Sequence, residues 1–236
     1  MIGGATKPLP TVRVCFIGDS ITVGYDDIQP NPNLLNGFRP GTAALLQGSK
    51  QVLWTYVGNV YWPGTSPPTQ TYQGTSGATI QLRTSDLLTY FGQAAIAQGL
   101  GVVGGCSQVD VARFLLGTNN VVPDPGATIT NYTALLNAFF LKFPGKAASC
   151  AMIPPCRSDL GFGATIAAMN ADIATVVAAQ VALGRAAILE ADAGLVNADY
   201  AAGGVHLIAS GNAKEAIVAS NGIIAAATLA GLPGFT

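Results

Sequence analysis

Short apolar runs alternate along the chain with longer segments that have helical spacing. Five runs are typical of buried parallel strands, because they are mostly apolar and short. They lie at residues 12–18, 51–57, 109–116, 147–153 and 185–190. Other segments repeat apolar residues at helical spacing or are rich in alanine, and they predict helices over 130–143, 165–183 and 210–229. We expect Gly184 to end the second helix and Ser210 to cap the third.

Strands that alternate with helices indicate βαβ units, a parallel sheet and helices on both of its faces. We therefore predict a three-layer α/β/α sandwich with a five-stranded parallel sheet. A chain of 236 residues that is 50% apolar can bury such a core. No linker interrupts the pattern, so we expect one domain over 1–236, with 1–10 as a poorly ordered lead-in. The long connection at 59–76 is expected to be functional or mobile.

Charge and hydropathy exclude two classes of protein. Eleven Lys plus Arg oppose twelve Asp plus Glu, so the net charge is −1 and the basic face of a nucleic-acid-binding protein is not expected. A membrane span needs about 18 uninterrupted apolar residues. The nearest candidate, residues 216–232, is broken by Ser220, Asn221 and Gly222, which predicts a buried helix and no membrane contact. We expect a monomer.

The four cysteines show no Cys-x-x-Cys spacing, and the chain has one histidine. A structural zinc site is therefore not predicted, and we expect no metal and no cofactor. Cys15 lies in a predicted strand, where it serves as a small buried apolar side chain. Cys150 and Cys156 could close a short disulfide loop. Together with Cys15 and Cys106 they make four cysteines, which allow three sets of pairings, so the choice stays open.

The setting of the protein is indicated only by general features. Low charge and a glycosylation sequon at Asn131 favour a secreted protein. The first residues lack the apolar core of a signal peptide, so we expect a mature chain or another export route.

Three polar motifs and the single histidine fall where an open parallel sheet binds its ligands, beyond the carboxyl ends of strands. They are Gly18-Asp19-Ser20-Ile21-Thr22, Gly74-Thr75-Ser76-Gly77, Gly117-Thr118-Asn119-Asn120 and Gly203-Gly204-Val205-His206. A serine hydroxyl becomes nucleophilic when a base takes its proton, and histidine is the side chain suited to that role near neutral pH. A tetrahedral oxyanion needs fixed donors, which the N–H groups of Ser20 and Gly77 and the amide of Asn119 could supply.

These four blocks, in this order, resemble those of the SGNH or GDSL hydrolase superfamily. The finer pattern is similar to the acetyl-xylan-esterase-like carbohydrate esterases of family 3, through Gly37-Phe38-Arg39, Tyr56-Val57-Gly58 and residues 74–80. The resemblance implies a flavodoxin-like fold and a serine esterase that removes short acyl groups, acetyl above all, from carbohydrate. It implies Ser20 as nucleophile, His206 as general base, and Ser20, Gly77 and Asn119 around the oxyanion.

The chain departs from the family pattern near its histidine. Gly203 stands where the family usually has an aspartate, Leu207 replaces a common proline, and Asn120 replaces a usual aspartate. An orienting acid normally fixes the imidazole, so three explanations stay open. A backbone carbonyl near Gly203 orients it, Asp199 folds back to do so, or nothing does and activity is low. We favour the carbonyl, because Asp199 matches a different, upstream acidic position of the family.

Several of these residues also have purely structural explanations. Ser20 is a common helix cap and Asn119 a common turn residue. Asp19 is expected to accept hydrogen bonds from nearby backbone rather than to act as a second acid. Trp54 is expected in the core and Arg39 in a buried ion pair.

Two other functions stay open. An arylesterase, thioesterase or lipase would use the same scaffold, and a carbohydrate-binding protein without activity would have lost the acid with Gly203. Tyr61 and Trp62, which precede Gly77 in the chain, could line a sugar-binding cleft.

Overall fold

The structure is a computed structural model that describes residues 8–23, 37–49, 52–56, 73–74, 79–81 and 109–235. Five strands of this part form one parallel sheet in the order β2-β1-β4-β5-β6. They are β1 (Thr11–Gly18), β2 (Leu53–Tyr56), β4 (Val111–Leu115), β5 (Ala147–Cys150) and β6 (Ala186–Leu189). A further strand, β3 (Gln73–Gly74), pairs with Ile17 and Gly18 at the end of β1. The predicted parallel sheet is confirmed, and the strand ends lie within three residues of those expected.

Helices cover both faces of the sheet. They are α1 (Ser20–Val23), α2 (Phe38–Ser49), α3 (Thr128–Lys142), α4 (Gly163–Ala182) and α5 (Ala209–Leu229). Helices α3 and α4 pack against one face, and α2 and α5 against the other. The three-layer α/β/α sandwich is therefore confirmed.

The strands divide the core into two clusters because successive side chains of a strand point to opposite faces. In β4, Ala112 and Phe114 belong to the cluster under α3 and α4, whereas Val111 and Leu115 belong to the one under α2 and α5. Trp54 is buried in the second cluster and meets the Phe235 ring edge-on, as expected for a core residue.

The helix ends match the sequence in one case and differ in another. The N–H of Gly184 donates to the carbonyl of Val181, and Gly184, with φ 75°, follows the cap residue Leu183 at the end of α4, as predicted. The prediction that Ser210 caps α5 is wrong. The helix begins at Ala209, so Ser210 lies inside its first turn, and Ile208 occupies the cap position without a side-chain hydrogen bond.

Among the helices of the described residues, α4 is the one that is long and apolar enough to cross a membrane by length and composition. Its residues Ile166, Met169, Ile173 and Val176 lie in the core beneath it.

The open question of the Cys150–Cys156 disulfide is answered by the position of the two side chains. Both are buried free thiols. Cys150 points from β5 into the cluster under α3 and α4, and burial raises the pKa of its thiol to about 12. Cys156 lies six residues on, with a left-handed backbone at φ 57°, and burial followed by the charge of Asp19 raises its pKa to about 11. Cys106 lies outside the described residues.

A group of buried charges links the sheet to α5. Arg113, in the middle of β4, donates three hydrogen bonds to Glu190 at 2.9, 3.2 and 2.7 Å and a further one to Glu215 of α5. Ser149 of β5 donates to Glu190 at 2.6 Å. The Arg113 guanidinium also lies 4.6 Å from the centre of the Phe38 ring. These bonds satisfy charges that would otherwise be costly to bury.

Candidate active site

Ser20 and His206 meet at the carboxyl end of β1. Ser20 starts the short helix α1, separated from the end of the strand by Asp19, and it is buried. The Nε2 atom of His206 lies 2.9 Å from the Ser20 Oγ. The two residues are 186 positions apart in the chain, so the fold itself brings them together. This contact is the nucleophile–base geometry that a serine hydrolase needs.

His206 is presented by a hairpin that precedes α5. Tyr200 and Leu207 form an antiparallel bridge. The Ala201 N–H donates to the His206 carbonyl at 2.8 Å, and the Ile208 N–H donates to the Asp199 carbonyl at 2.9 Å. We call residues 199–208 the histidine hairpin. Because backbone bonds hold both of its strands, the imidazole has a fixed starting point above Ser20.

Both ends of the histidine hairpin are attached to the rest of the molecule. At its tip, the Gly204 carbonyl accepts a hydrogen bond from the Arg157 N–H at 2.7 Å. At its base, the Asp199 carboxylate is held by Lys214 and by the Val196 N–H. Nearby, Asn197 exchanges two hydrogen bonds with Ser158.

Lys214 and Val196 are the main hydrogen-bond donors to the Asp199 carboxylate, and the Ser210 side chain also contributes to lowering its pKa. Its Oδ2 accepts from Lys214 Nζ at 2.7 Å and from the Val196 N–H at 2.9 Å. The bond from Lys214 and then the backbone bond from Val196 lower the pKa of Asp199 to about 2. Within the described part of the chain, Asp199 makes no hydrogen bond with His206. The explanation in which Asp199 replaces the missing acid of the triad is therefore not supported by this geometry.

Asp19, beside the candidate nucleophile, supports the local backbone. Its side chain is fully buried, and its Oδ1 accepts a hydrogen bond from the Ile21 N–H at 3.0 Å. This bond closes the turn between β1 and α1. The prediction that Asp19 accepts from nearby backbone is confirmed.

The Gly-Thr-Asn-Asn motif forms a 3₁₀ turn directly after β4. Thr118–Asn120 is the turn, and Gly117 precedes it with φ 127°, a conformation that suits glycine. A Cβ at Gly117 would also lie 2.4 Å from Ile153 Cδ1. The turn places Asn119, which is half-buried, at the same end of the sheet as Ser20.

Asn120, which stands where the family pattern usually has an aspartate, holds the segment at Ile80 and Gln81 in place. Its Oδ1 accepts from the Ile80 N–H at 3.1 Å, and its Nδ2 donates to Gln81 Oε1 at 2.9 Å. The asparagine side chain thus joins the third motif to the segment that follows the second. The only signal for this role in the sequence is the second Asn of the motif.

Lys214 is the functional candidate that sequence reasoning missed. It lies in the second turn of α5, 15 residues after its partner Asp199, and no spacing rule connects them. Arg39, in the first turn of α2, is buried as expected, while an ion pair with an acid stays a prediction. Gly77, Tyr61 and Trp62 lie outside the described residues, so their predicted roles also stay predictions.

No group of three or more His, Cys, Asp or Glu in the described residues could hold a metal ion. What the site offers chemically is a serine, an imidazole and hydrogen-bond donors near the ends of β1 and β4.

Comparison with known proteins shows which solved structures share the fold of this chain. No protein-family model and no curated protein matches the chain. Among solved structures, it is similar to the family 3 carbohydrate esterase of Clostridium thermocellum, with a TM-score of 0.66 and 20% identity over 89% of this chain and 94% of that one. It is similar to a family 3 carbohydrate esterase of Talaromyces cellulolyticus, with a TM-score of 0.64 and 24% identity over 90% and 96%.

A third structure, the lipase/acylhydrolase of Enterococcus faecalis, has a TM-score of 0.60 and 14% identity over 89% of this chain and 94% of that one. The chain therefore has the fold of these carbohydrate esterases and of this lipase/acylhydrolase over nearly its whole length, in agreement with the fold that the resemblance of its motifs implies.

Proposed function

We propose that this protein is a serine esterase that removes short acyl groups, acetyl above all, from carbohydrate. The observation that carries the proposal is the 2.9 Å contact between Ser20 Oγ and His206 Nε2 at the carboxyl end of a parallel sheet. The fold shared with carbohydrate esterases supports the same chemistry.

The first half of the reaction forms an acyl-enzyme. Ser20 Oγ attacks the ester carbonyl carbon while His206 Nε2 takes the hydroxyl proton. The Ser20 N–H, the Gly77 N–H and the Asn119 side-chain amide donate to the resulting oxyanion. The tetrahedral intermediate collapses, the bond to the sugar oxygen breaks, and the proton on His206 passes to that oxygen.

The second half repeats these steps with water. His206 takes a proton from a water molecule, whose oxygen attacks the acyl carbon. The bond to Ser20 Oγ then breaks, the proton on His206 returns to it, and the acid leaves. For Ser20 to donate to Nε2 at the start, the neutral imidazole must carry its own proton on Nδ1.

Gly203 in place of the usual aspartate leaves Nδ1 to be oriented by another group. We propose that a backbone carbonyl near Gly203 accepts the Nδ1 proton, which gives a Ser-His dyad. A carbonyl fixes the tautomer as a carboxylate does, but it stabilises the imidazolium less because it is uncharged.

The first experiment measures hydrolysis of p-nitrophenyl acetate, butyrate and octanoate. The wild type should prefer acetate, and Ser20→Ala and His206→Ala should each lower kcat/KM by at least about 10³-fold, because each removes one half of the nucleophilic pair. Ser220→Ala is the matched control. It makes the same change at an equally buried serine of α5, whose hydroxyl bonds the Ile217 carbonyl.

The outcomes separate the candidate functions. Preference for octanoate would favour the acylhydrolase alternative that the Enterococcus faecalis structure raises. Hydrolysis that survives Ser20→Ala would contradict the proposed nucleophile. No hydrolysis of any ester, together with no labelling of Ser20 by an organophosphonate, would favour a carbohydrate-binding protein without activity.

A further inference from the structure

The histidine hairpin and the start of α5 are joined by one lysine. Lys214 Nζ donates to Asp199 Oδ2 at 2.7 Å and to the Gly194 carbonyl at 3.1 Å. The ammonium group therefore holds the base of the hairpin and the loop before it at the same time. We call Asp199 and Lys214 the clasp.

Beside the clasp, the first turn of α5 packs closely against the backbone of Asp199. A Cβ at Gly211, in the first turn of α5, would lie 2.6 Å from the Asp199 carbonyl oxygen. The Asp199 side chain is buried, while that of Lys214 is more than one-third exposed. The helix thus lies directly against the base of the hairpin, and the lysine closes the contact from the solvent side.

The charge of Asp199 is constant over the pH range in which an esterase works. Its pKa is lowered to about 2, chiefly by the bond from Lys214 and then by the one from the Val196 N–H. The clasp is consequently an ion pair at any pH above about 4. The hairpin connects the clasp to His206. Its backbone hydrogen bonds join Ile208 to Asp199 at the base and Ala201 to His206 further along.

We propose that the clasp sets the position of His206, so that Asp199 is a positioning residue acting through Lys214 and not the acid of a triad. The proposal rests on the proposed function, in which His206 is the base. It assigns to the carboxylate a mechanical role: the ion pair fixes the base of the hairpin, and the hairpin carries the imidazole to Ser20.

The test is a double-mutant cycle with Asp199→Asn, Lys214→Met and their combination, assayed on p-nitrophenyl acetate. Each single change removes the Asp199–Lys214 ion pair, so each should lower kcat by about 10-fold to 100-fold, the scale of a small misplacement of a catalytic group. The combination should be no worse than the more severe single change. KM should change little, since neither residue faces the ester in this mechanism.

Two variants serve as controls. Lys214→Arg keeps the charge and the donors and should recover most of the activity lost in Lys214→Met. Asp172→Asn makes the same chemical change as Asp199→Asn on α4, away from the hairpin, and should leave kcat unaltered.

The pH dependence of kcat separates positioning from a triad acid. With a clasp, Asp199→Asn lowers kcat by the same factor at every pH from 5 to 9 and leaves the midpoint of the acid limb in place. With a triad acid, the loss would approach about 10⁴-fold, Lys214→Met would be far milder, and the acid limb would move to lower pH because the imidazolium had lost its counter-charge. The proposal is overturned if Lys214→Met is far milder than Asp199→Asn, or if the acid limb of Asp199→Asn moves to lower pH.

Hydrogen exchange gives a readout that does not need activity. Asp199→Asn and Lys214→Met should speed exchange of the Ala201 and Ile208 N–H groups equally, with no further gain in the combination. If Ser20→Ala keeps full hydrolysis, the proposed function fails while this exchange pattern still supports the clasp as a structural device. Unchanged exchange in both variants overturns the clasp even when Ser20→Ala is inactive.

Discussion

The Asn120 side chain shows how one residue can fix two parts of a candidate site. It is buried, accepts from the Ile80 N–H and donates to the Gln81 side chain, 40 and 39 residues earlier in the chain. Gln81 in turn donates to Asp124 at 2.8 Å. Asn119, the candidate oxyanion donor, is the residue directly before Asn120, so its position depends on how firmly these hydrogen bonds hold Asn120.

Two substitutions of Asn120 should distinguish the contribution of its Oδ1, which accepts a hydrogen bond, from that of its Nδ2, which donates one. Asn120→Ala removes the acceptor of a buried N–H and should lower the free energy of unfolding by about 1–3 kcal/mol. Asn120→Asp keeps an oxygen for Ile80 and should cost less. Urea unfolding of the two variants measures the difference. An alanine variant as stable as the wild type would contradict the role given to Asn120.

At the residue scale, the sequence was informative where the chemistry is carried by a local motif. Ser20, Asn119 and His206 were predicted from the residues that surround them, and the structure brings Ser20 and His206 into contact. Lys214 and its bond to Asp199 were not predicted, because the contact depends on how a hairpin folds back onto the next helix. No local pattern records that geometry.

At the scale of elements, the histidine hairpin should lose stability in acid in a way that reports the clasp. The pKa of Asp199 is lowered from its ordinary 3.8 to about 2, so the folded state binds this proton less readily than the unfolded state. Its stabilising contribution is therefore complete above about pH 5 and is lost as the pH falls through 4 towards 2.

The measurement compares wild type with Asp199→Asn by thermal unfolding between pH 7 and pH 2.5. The wild type should be the more stable at pH 7, and the gap should narrow below pH 4. A gap that stays constant down to pH 2.5 would show that the carboxylate charge contributes nothing. Asp172→Asn again provides the matched control.

The elements themselves were predictable to different degrees. Strands β1 and β4 were found nearly complete, because a strand covered on both faces is a continuous apolar run. Helix α2 was missed. It has Pro40 and Gly41 in its first residues and Gly48 near its end, and these residues weaken the helical signal although a proline is tolerated in the first turn.

At the scale of the whole molecule, one buried cation joins the sheet to the helical layer formed by α2 and α5. Arg113 lies in the central strand β4, Glu190 follows β6, and Glu215 comes from α5. Glu190 also begins the segment that leads to the histidine hairpin. The sequence showed an isolated arginine in an apolar run, and a strand pattern alone could not say which acids would meet it.

Two carboxylates share this one arginine, and the consequence is visible at Glu215. Burial raises the pKa of Glu215 above its ordinary 4.5, and the attraction of Arg113 opposes the rise. A raised carboxyl pKa means that the folded state binds the proton more readily than the unfolded state. The stability of the wild type should therefore fall as the pH rises above 4.5 through the raised value.

Arg113→Met should make that dependence much steeper. Without the guanidinium, two buried carboxylates have no counter-charge, and the free energy of unfolding at pH 7 should fall by about 3–5 kcal/mol. The loss should be smaller at pH 5, because protonation then removes part of the buried charge. Urea unfolding at the two pH values measures both effects, and adding Glu215→Gln should restore part of the stability at pH 7.

The control is Arg185→Met, since Arg185 donates to the neutral side chains of Asn137 and Gln180 and its removal leaves no buried charge behind. Equal losses in Arg113→Met at pH 5 and pH 7 would show that the arginine stabilises the fold by packing on Phe38 and not by neutralising the two acids.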